Sequence, residues 1–377
     1  MRILHTEAST GWGGQEIRIL KEAKGIRARG HKVFILAAPG SQLLKRATEE
    51  GFHTGAIRFK RRKFFKILFE LKRFIESRGI DIVNTHSSKD SWLALPAARL
   101  AKNKPLTIRT RHLSTPIGKN LLTTFLYNSL PHFIITTGEA IKKQMVEVNH
   151  FTPDKIISIP TGVDIDMFNP EVVHTDLREE LNLKSSVPLV GAVSVIRSWK
   201  GLDYLVKAVP LILKEIPEAR FIIAGEGTHR NTLEKTINET GTGDKVYLLG
   251  HREDIVNVLH SIDILVHPSY ANEGVPQTIL QAMTMGKPVV ASDLAPLKEV
   301  VIENETGILT PIKDNKGIAR AVIKLLHDKE LSKKLGENGR RLVVSSYSFT
   351  AMLDKLETLY IKQSKVESHG NSSYRNA

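Results

Sequence analysis

The sequence predicts two doubly wound α/β domains in tandem, each a parallel sheet covered by helices, and three observations carry that prediction. Short β-like runs alternate with helix-length amphipathic segments from the first residues onward. The alternation pauses between about 160 and 170, where Pro160, Gly162 and Pro170 punctuate the chain, and then begins again. A length of 377 residues also suffices for two cores of ordinary size.

In order, the first domain reads as "RILHT", a helix over about 14–29, "KVFILAA", a helix over 64–78, "DIVNTH", a helix over 89–101, "LTIRTR" and "FIITTG". The segment "KIISIPTGVDIDMFNP" leads into the second: "VPLVGAVSV", helix 201–215, "ARFIIAG", helix 228–239, "KVYLLG", "IDILVHPS", helix 275–284 and "KPVVAS". Domains of 1–165 and 166–345 follow. In "FTAMLDKLETLYIKQ" the apolar residues Met352, Leu353, Leu356, Leu359 and Tyr360 have helical spacing, so 346–362 reads as a helix returning to the first domain. The polar stretch 363–377 reads as a disordered tail. Two facing domains of this kind would place the C-terminal ends of both sheets around one cleft, where ligands of open α/β sheets bind.

Composition narrows the function classes. No apolar run approaches the roughly 18 residues of a membrane span, and "MRILHTEAS" lacks the apolar stretch of a signal peptide, so the expected location is the cytoplasm. The absence of cysteine excludes disulfides, thiolate catalysis and cysteine-bound zinc, and the 14 histidines show no HExxH-type spacing. The net charge of +14 is divided unevenly: residues 1–165 carry 28 Lys/Arg against 13 Asp/Glu, and the rest 26 against 27. One half therefore faces an anionic partner while the other is near neutral.

The residues that could carry chemistry centre on Glu273, on a loop after the strand "IDILVHPS" at the mouth of a helix expected from Val275. A fixed carboxylate beside N–H donors suits a hydroxyl-rich ligand; an acid that merely stabilises the helix dipole fits the position equally well. The pair Asp164-x-Asp166 matches a metal-binding Asp-x-Asp in spacing, but its place in the linker favours Asp164 as a turn cap.

The stretch "EGVPQTILQAMTMGKPVVASDLAPLKEVVIENETGIL" resembles the donor-site signature of the retaining, GT-B-fold glycosyltransferases of family 4. "GWGGQE", "RTRH", "IPTGVDIDMF", "SWKG" and "IAGEG" stand in the family's order and spacing, so the resemblance spans nearly the whole chain. It implies a GT-B fold, a nucleotide-diphosphate sugar as donor substrate, no cofactor and no metal, cationic side chains and helix ends doing the work of the ion. It also implies transfer with retention by front-side displacement, in which the protein supplies geometry and electrostatics.

Residue by residue, the resemblance makes Glu273 the contact to the donor sugar's hydroxyls, beside Gly274, Val275 and Pro276. The family's second glutamate, a ribose contact, is Gln281 here: an amide can still accept from a hydroxyl but without charge. Lys200 in "SVIRSWKG" matches the phosphate-binding lysine, and Arg197, closer than usual, its arginine partner. Gly13 and Gly14 would lie against the donor, as would Gly225 in "IAGEG" and Arg252 in "LGHRED". His112 would face the donor sugar, although a lone histidine after a strand is as readily structural. Gln15, Glu16, His86 and Arg111 are expected on the acceptor side.

Arg58 to Ile75 carries eight basic residues, one acid and five phenylalanines. At helical spacing Phe64, Leu68, Leu71 and Ile75 form a core stripe, with Phe65 and Phe69 on its flank among lysines and arginines. That pattern fits docking on an anionic membrane, at the inner face of the cytoplasmic membrane; packing against a neighbouring loop is the competing account. The acceptor is then a glycan or lipid-linked molecule of the cell envelope, lipopolysaccharide being one such product. A nucleotide-sugar epimerase shares the fold and is the rival activity. A nucleic-acid binder, suggested by a pI of 9.7, would need a recognition helix or exposed sheet aromatics, and neither is evident.

Overall fold

The computed structural model describes residues 1–58, 63–112, 115–172 and 174–370, without the side chains of 363–370. Four residues of the basic segment, 59–62, lie outside the described residues. The chain forms two compact units: Met1–Thr161 with the segment from Met352 onward, and Gly162–Ala351.

The first unit holds seven parallel strands: β1 (Arg2–Glu7), β2 (Lys32–Ala37), β3 (His53–Ala56), β4 (Ile82–Thr85), β5 (Leu106–Arg111), β6 (Phe133–Thr136) and β7 (Ile156–Ser158). Their order is β3-β2-β1-β4-β5-β6-β7. The second holds six: β8 (Leu189–Val193), β9 (Arg220–Ala224), β10 (Val246–Gly250), β11 (Ile264–His267), β12 (Val289–Ser292) and β13 (Gly307–Thr310), in the order β10-β9-β8-β11-β12-β13. In each sheet the chain order reverses direction once, between β1 and β4 and between β8 and β11. Those two points are where such sheets bind ligands, beyond the carboxyl ends of their strands.

The strands read as almost unbroken apolar runs because helices cover both faces. In β8, Val190 and Ala192 pack with the helices Leu202–Glu215 and Asn315–His327, while Leu189 and Val193 pack on the other face with Gln277–Thr284. Each fully buried aliphatic side chain contributes about 1.5–3 kcal/mol. Strands β3, β7 and β13 are absent from the sequence reading; all three are short strands at the edges of their sheets.

Helix Phe64–Arg78 has the expected bounds and buries Ile67, Leu68, Leu71 and Ile75 against Phe34, Leu36 and helix Ser88–Leu100. Phe65 and Phe69 are 74% and 52% exposed. The last helix is Phe349–Gly370, running past the expected end at residue 362; residues 371–377 lie outside the described residues. Its stripe Met352, Leu353, Leu356, Leu359 and Tyr360 is buried in the first unit. Arg29 ties it down through Asp354 (2.7 Å) and Glu357 (2.8 Å), and Tyr360 donates to Glu22 (3.2 Å).

Candidate active site

At the β8/β11 reversal, three loops are zipped together by backbone hydrogen bonds. Ser194 donates to the Ala224 carbonyl (3.0 Å), Ile196 to that of Glu226 (2.9 Å) and Tyr270 to that of Trp199 (2.9 Å). Two glycines permit the approach. Gly225 (φ +144°) and Gly201 (φ +68°) occupy backbone regions that L side chains rarely adopt, and a Cβ would collide with the carbonyl oxygens of Ser194 and Pro268 respectively. Gly225 therefore has a packing role in the loops, independent of any ligand. The short turn Ser198–Lys200, ending at Gly201, delivers Lys200 to the rim.

Lys200 Nζ stands 2.5 Å from Glu273 Oε1, and His267 Nε2 lies 3.4 Å from the same oxygen and 3.2 Å from Ser269 Oγ. Glu273 is 5% exposed. Burial alone would raise its carboxyl, but the hydrogen bond from His267 and the Lys200 charge outweigh it and hold the group at about 2. Burial also keeps His267 below its ordinary value, hence neutral near pH 7, so it serves Glu273 through an N–H. Both partners use Oε1. Among the described residues Oε2 accepts nothing, which leaves one oxygen of a permanent carboxylate for a ligand's hydroxyl.

The sequence reading missed His267, whose signal was a histidine at the end of β11, six residues before Glu273. It also placed the helix start too early. The helix is Gln277–Thr284, with Pro276 as its cap, because a residue before proline is driven to extended backbone. Glu273 is therefore held by Lys200 and His267, not by a helix N-terminus. Among the described residues no acceptor takes the N–H of Gly274 or Val275, whereas the Val275 side chain packs in the core. Gln281 is half-buried on the helix, and its amide makes no hydrogen bond among the described residues.

Arg197 and Lys200 flank the same turn but diverge. The exposed Arg197 reaches Thr228 Oγ1 (3.3 Å) and lies over the Trp199 ring (5.8 Å). Arg252, expected at the donor, has local partners of its own. Its donors go to Asp254 (2.7 and 2.8 Å) and Glu180 (2.8 and 3.0 Å), partners that raise its pKa further, so it is a strut between two acids. Asp164 caps its turn, accepting from the N–H of Asp166 (3.2 Å) and Met167 (3.0 Å).

In the first unit, Gly13 caps helix Gly14–Ala28 and donates its N–H to the Glu16 carboxylate (2.9 Å). Glu16, expected on the acceptor side, thus caps the helix. Gln15 donates to Glu7 at the end of β1, and the Ser9 N–H reaches the other Glu7 oxygen (2.7 Å). Burial and the neighbouring Asp90 raise Glu7 to about 7. Its signal in the sequence was an acid closing an apolar strand. Asp90 accepts from Thr6 (2.7 Å) and from the N–H of His86 (3.0 Å) and Ser87 (2.8 Å).

His86 and His112, weighed against each other in the sequence, belong to one row. His5 Nδ1 is 3.0 Å from His86 Nε2, and His86 Nδ1 is 3.0 Å from His112 Nε2. All three are buried, and burial holds each below its ordinary value, His86 and His112 well below. Arg111 donates to the Thr115 carbonyl (2.5 Å) and hydroxyl (2.7 Å).

Comparison with known proteins gives the family and the fold. A family model for "Glycosyltransferase Family 4" matches residues 12–167, and one for "Glycosyl transferases group 1" matches 173–342. The chain is 30% identical over 311 residues to the UDP-Gal:alpha-D-GlcNAc-diphosphoundecaprenol alpha-1,3-galactosyltransferase of Escherichia coli, covering 79% of this chain and 80% of that one. Among solved structures, a glycosyltransferase from Rickettsia africae ESF-5 superposes with a TM-score of 0.87 at 23% identity, over 96% of this chain and 98% of that one. Anabaena Alr3699/HepE in complex with UDP superposes with a TM-score of 0.85 at 19% identity, over 95% and 99%.

Proposed function

The chain belongs to the group 1, family 4 glycosyltransferases with the GT-B fold, and from that premise we propose that it transfers a hexosyl or heptosyl group from a nucleoside-diphosphate sugar to an acceptor hydroxyl. The transfer retains anomeric configuration and uses neither metal nor cofactor. The observation that carries this reading is the Glu273 carboxylate, with Oε1 bound to Lys200 and His267 and Oε2 open.

A carboxylate held at about 2 is no base near neutral pH, so its part is to orient a sugar hydroxyl and to face the positive charge that grows on the sugar as the donor bond breaks. The departing diphosphate needs donors. Lys200 uses one of its three N–H bonds on Glu273 and keeps the others; Arg197 and the Gly274 and Val275 amides complete the set. Gln281, with its amide unengaged, serves the ribose. No base is required if the departing phosphate oxygen takes the acceptor's proton as the new bond forms on the same face.

The E. coli relative's name includes UDP-Gal and a diphosphoundecaprenol acceptor, which makes UDP the first nucleotide to test and a lipid-linked glycan of the cell envelope the first acceptor class. Lipopolysaccharide is one product of that class. The first unit supports work at a lipid surface, on the cytoplasmic side of the inner membrane: Phe65 and Phe69 stand exposed among Lys63, Lys66 and Arg73. Leu121 is 89% exposed, and Leu122 and Phe125 are exposed beside it, with Phe125 stacked on Trp92 of the helix that packs against the Phe65 helix. No described helix is long and apolar enough to cross a membrane.

A thermal-shift panel of UDP, GDP, ADP and CMP tests the donor site, since binding to the folded state raises the melting temperature. UDP is expected to give the largest shift; no shift with any nucleotide would contradict the reading. Product analysis with UDP-sugars then separates transfer from epimerisation.

A further inference from the structure

The row His5–His86–His112 carries information that no single histidine does. Each ring is neutral and holds one proton, so two consecutive ring-to-ring hydrogen bonds of 3.0 Å must run in the same sense. Only two proton arrangements satisfy both. With protons directed toward His112, that ring accepts at Nε2 and carries its proton on Nδ1. With protons directed toward His5, His112 donates from Nε2 and its Nδ1 is a bare lone pair. The far end is coupled to the choice, because His5 Nε2 is bare in the first arrangement and protonated in the second.

The charges around the row select between them. Glu22 is the anion that acts on His5, and its Oε2, like His5 Nε2, is buried without a hydrogen-bond partner among the described residues. At the other end the cations Arg18 and Arg111 act on His112, and Arg18 also acts on His86. Arg18 is fully buried, fixed by Thr161 Oγ1 (2.7 Å) and the Ile159 carbonyl (2.8 Å), with Nε 3.7 Å from Glu22. A field that is negative at His5 and positive at His112 draws the protons toward His5.

We propose that His5 and His86 are positioning residues that hold the proton of His112 on Nε2, so that His112 Nδ1 faces the ligand as a hydrogen-bond acceptor that takes a hydroxyl and rejects an oxyanion. The part about the ligand rests on the reading of the chain as a glycosyltransferase whose His112 meets the donor sugar; the part about the proton does not. Such a setting sorts the two ends of a nucleotide sugar. A sugar hydroxyl donates to the lone pair, while a phosphate oxygen placed there meets repulsion.

The test is a long-range 1H–15N spectrum of the full chain labelled with 15N-histidine, near neutral pH, with His112 assigned by its loss in His112→Gln. His112 Nδ1 is expected to be unprotonated and Nε2 protonated. In His5→Phe, which keeps a ring but removes the acceptor, His112 should become a mixture of tautomers; in His5→Asn, whose amide oxygen can accept from His86, the single tautomer should return. Turnover of UDP-sugars should follow, falling about tenfold in His5→Phe and recovering in His5→Asn, while UDP affinity stays level. A wild-type His112 protonated on Nδ1, or a tautomer unchanged in His5→Phe, would overturn the proposal, and the wild-type spectrum decides even if a variant does not fold. If the expected tautomer is found but turnover of the donor that the nucleotide panel identifies does not follow it through the His5 variants, the part about the ligand fails and the proton assignment stands.

Discussion

The Lys200 ammonium, delivered by a turn after β8, stands 2.5 Å from the Glu273 carboxylate, delivered by the loop after β11. The two strands are neighbours at the point where the sheet reverses its order, so one ion pair closes the loops on both sides of that point. The pair is largely buried, and removing either charge alone would strand the other. Lys200→Met is therefore expected to cost stability as well as turnover. A melting temperature equal to that of the parent would show that the ion pair does not brace these loops.

Gln281→Glu should bind UDP as well as the parent or better. The unengaged amide sits in the helix Gln277–Thr284, where a carboxylate would accept the same ribose hydroxyls with added charge. Calorimetry decides. A tenfold or greater weakening would mean that the N–H of the amide is required and that the ribose assignment is mistaken.

Arg252→Met should lower the melting temperature and leave UDP affinity unchanged, because its guanidinium is taken up by Asp254 and Glu180. A loss of nucleotide affinity with normal stability would put Arg252 at the donor.

Glu7 gives a dependence on pH. Its folded pKa is raised from 4.5 to about 7, so between those values the unfolded chain has lost a proton that the folded chain keeps. Stability from this group is thus full below about 4.5, falls as pH rises toward 7 and levels off above it. Glu7→Gln, which never ionises, should gain melting temperature over the parent at pH 7 and match it near pH 4.5. An equal difference at both pH values would show that Glu7 titrates as an ordinary carboxyl.

Replacing Phe65 and Phe69 by serine should leave folding and donor turnover intact, since both side chains are exposed and the stripe Ile67, Leu68, Leu71 and Ile75 carries the packing. Co-sedimentation with anionic vesicles should weaken with salt in the parent without vanishing, and the double variant should lose the salt-resistant part. Equal pelleting with neutral and anionic vesicles would remove the anionic headgroups from the account, and no pelleting with either would remove the membrane.

Much of this was legible in the sequence, for identifiable reasons. Alternating strand and helix periods gave the two sheets, and helix Phe64–Arg78 was readable in its bounds and in Leu68, Leu71 and Ile75, whereas Ile67 is buried where Phe64 was expected and Phe64 is half-buried. Glu273 and Lys200 were legible as candidates, but not as partners, since 73 residues separate them and only the sheet order makes them neighbours. His267 and Glu7 went unread because each ends an apolar strand, where a polar residue looks like the edge of a core. The local partners of Glu16 and Arg252 went unread because motif position says nothing about which acceptor or donor takes a side chain first. The three-histidine row could not be read at all: His5, His86 and His112 meet only through the β1-β4-β5 order.

The most direct test of the Glu273 assignment is real-time 1H NMR of the anomeric signals while the parent and Glu273→Gln act on UDP-glucose, UDP-galactose and UDP-N-acetylglucosamine, with water as the surrogate acceptor. The isosteric amide keeps the shape of the site, removes the charge facing the sugar and releases Lys200 from its ion pair, so the rate should fall about a hundredfold or more while UDP binding is not weakened. In the parent, the released sugar should appear first as the α-anomer and only then equilibrate. An undiminished rate in Glu273→Gln, or a β-anomer appearing first in the parent, would contradict a retaining transfer organised by the Glu273 carboxylate.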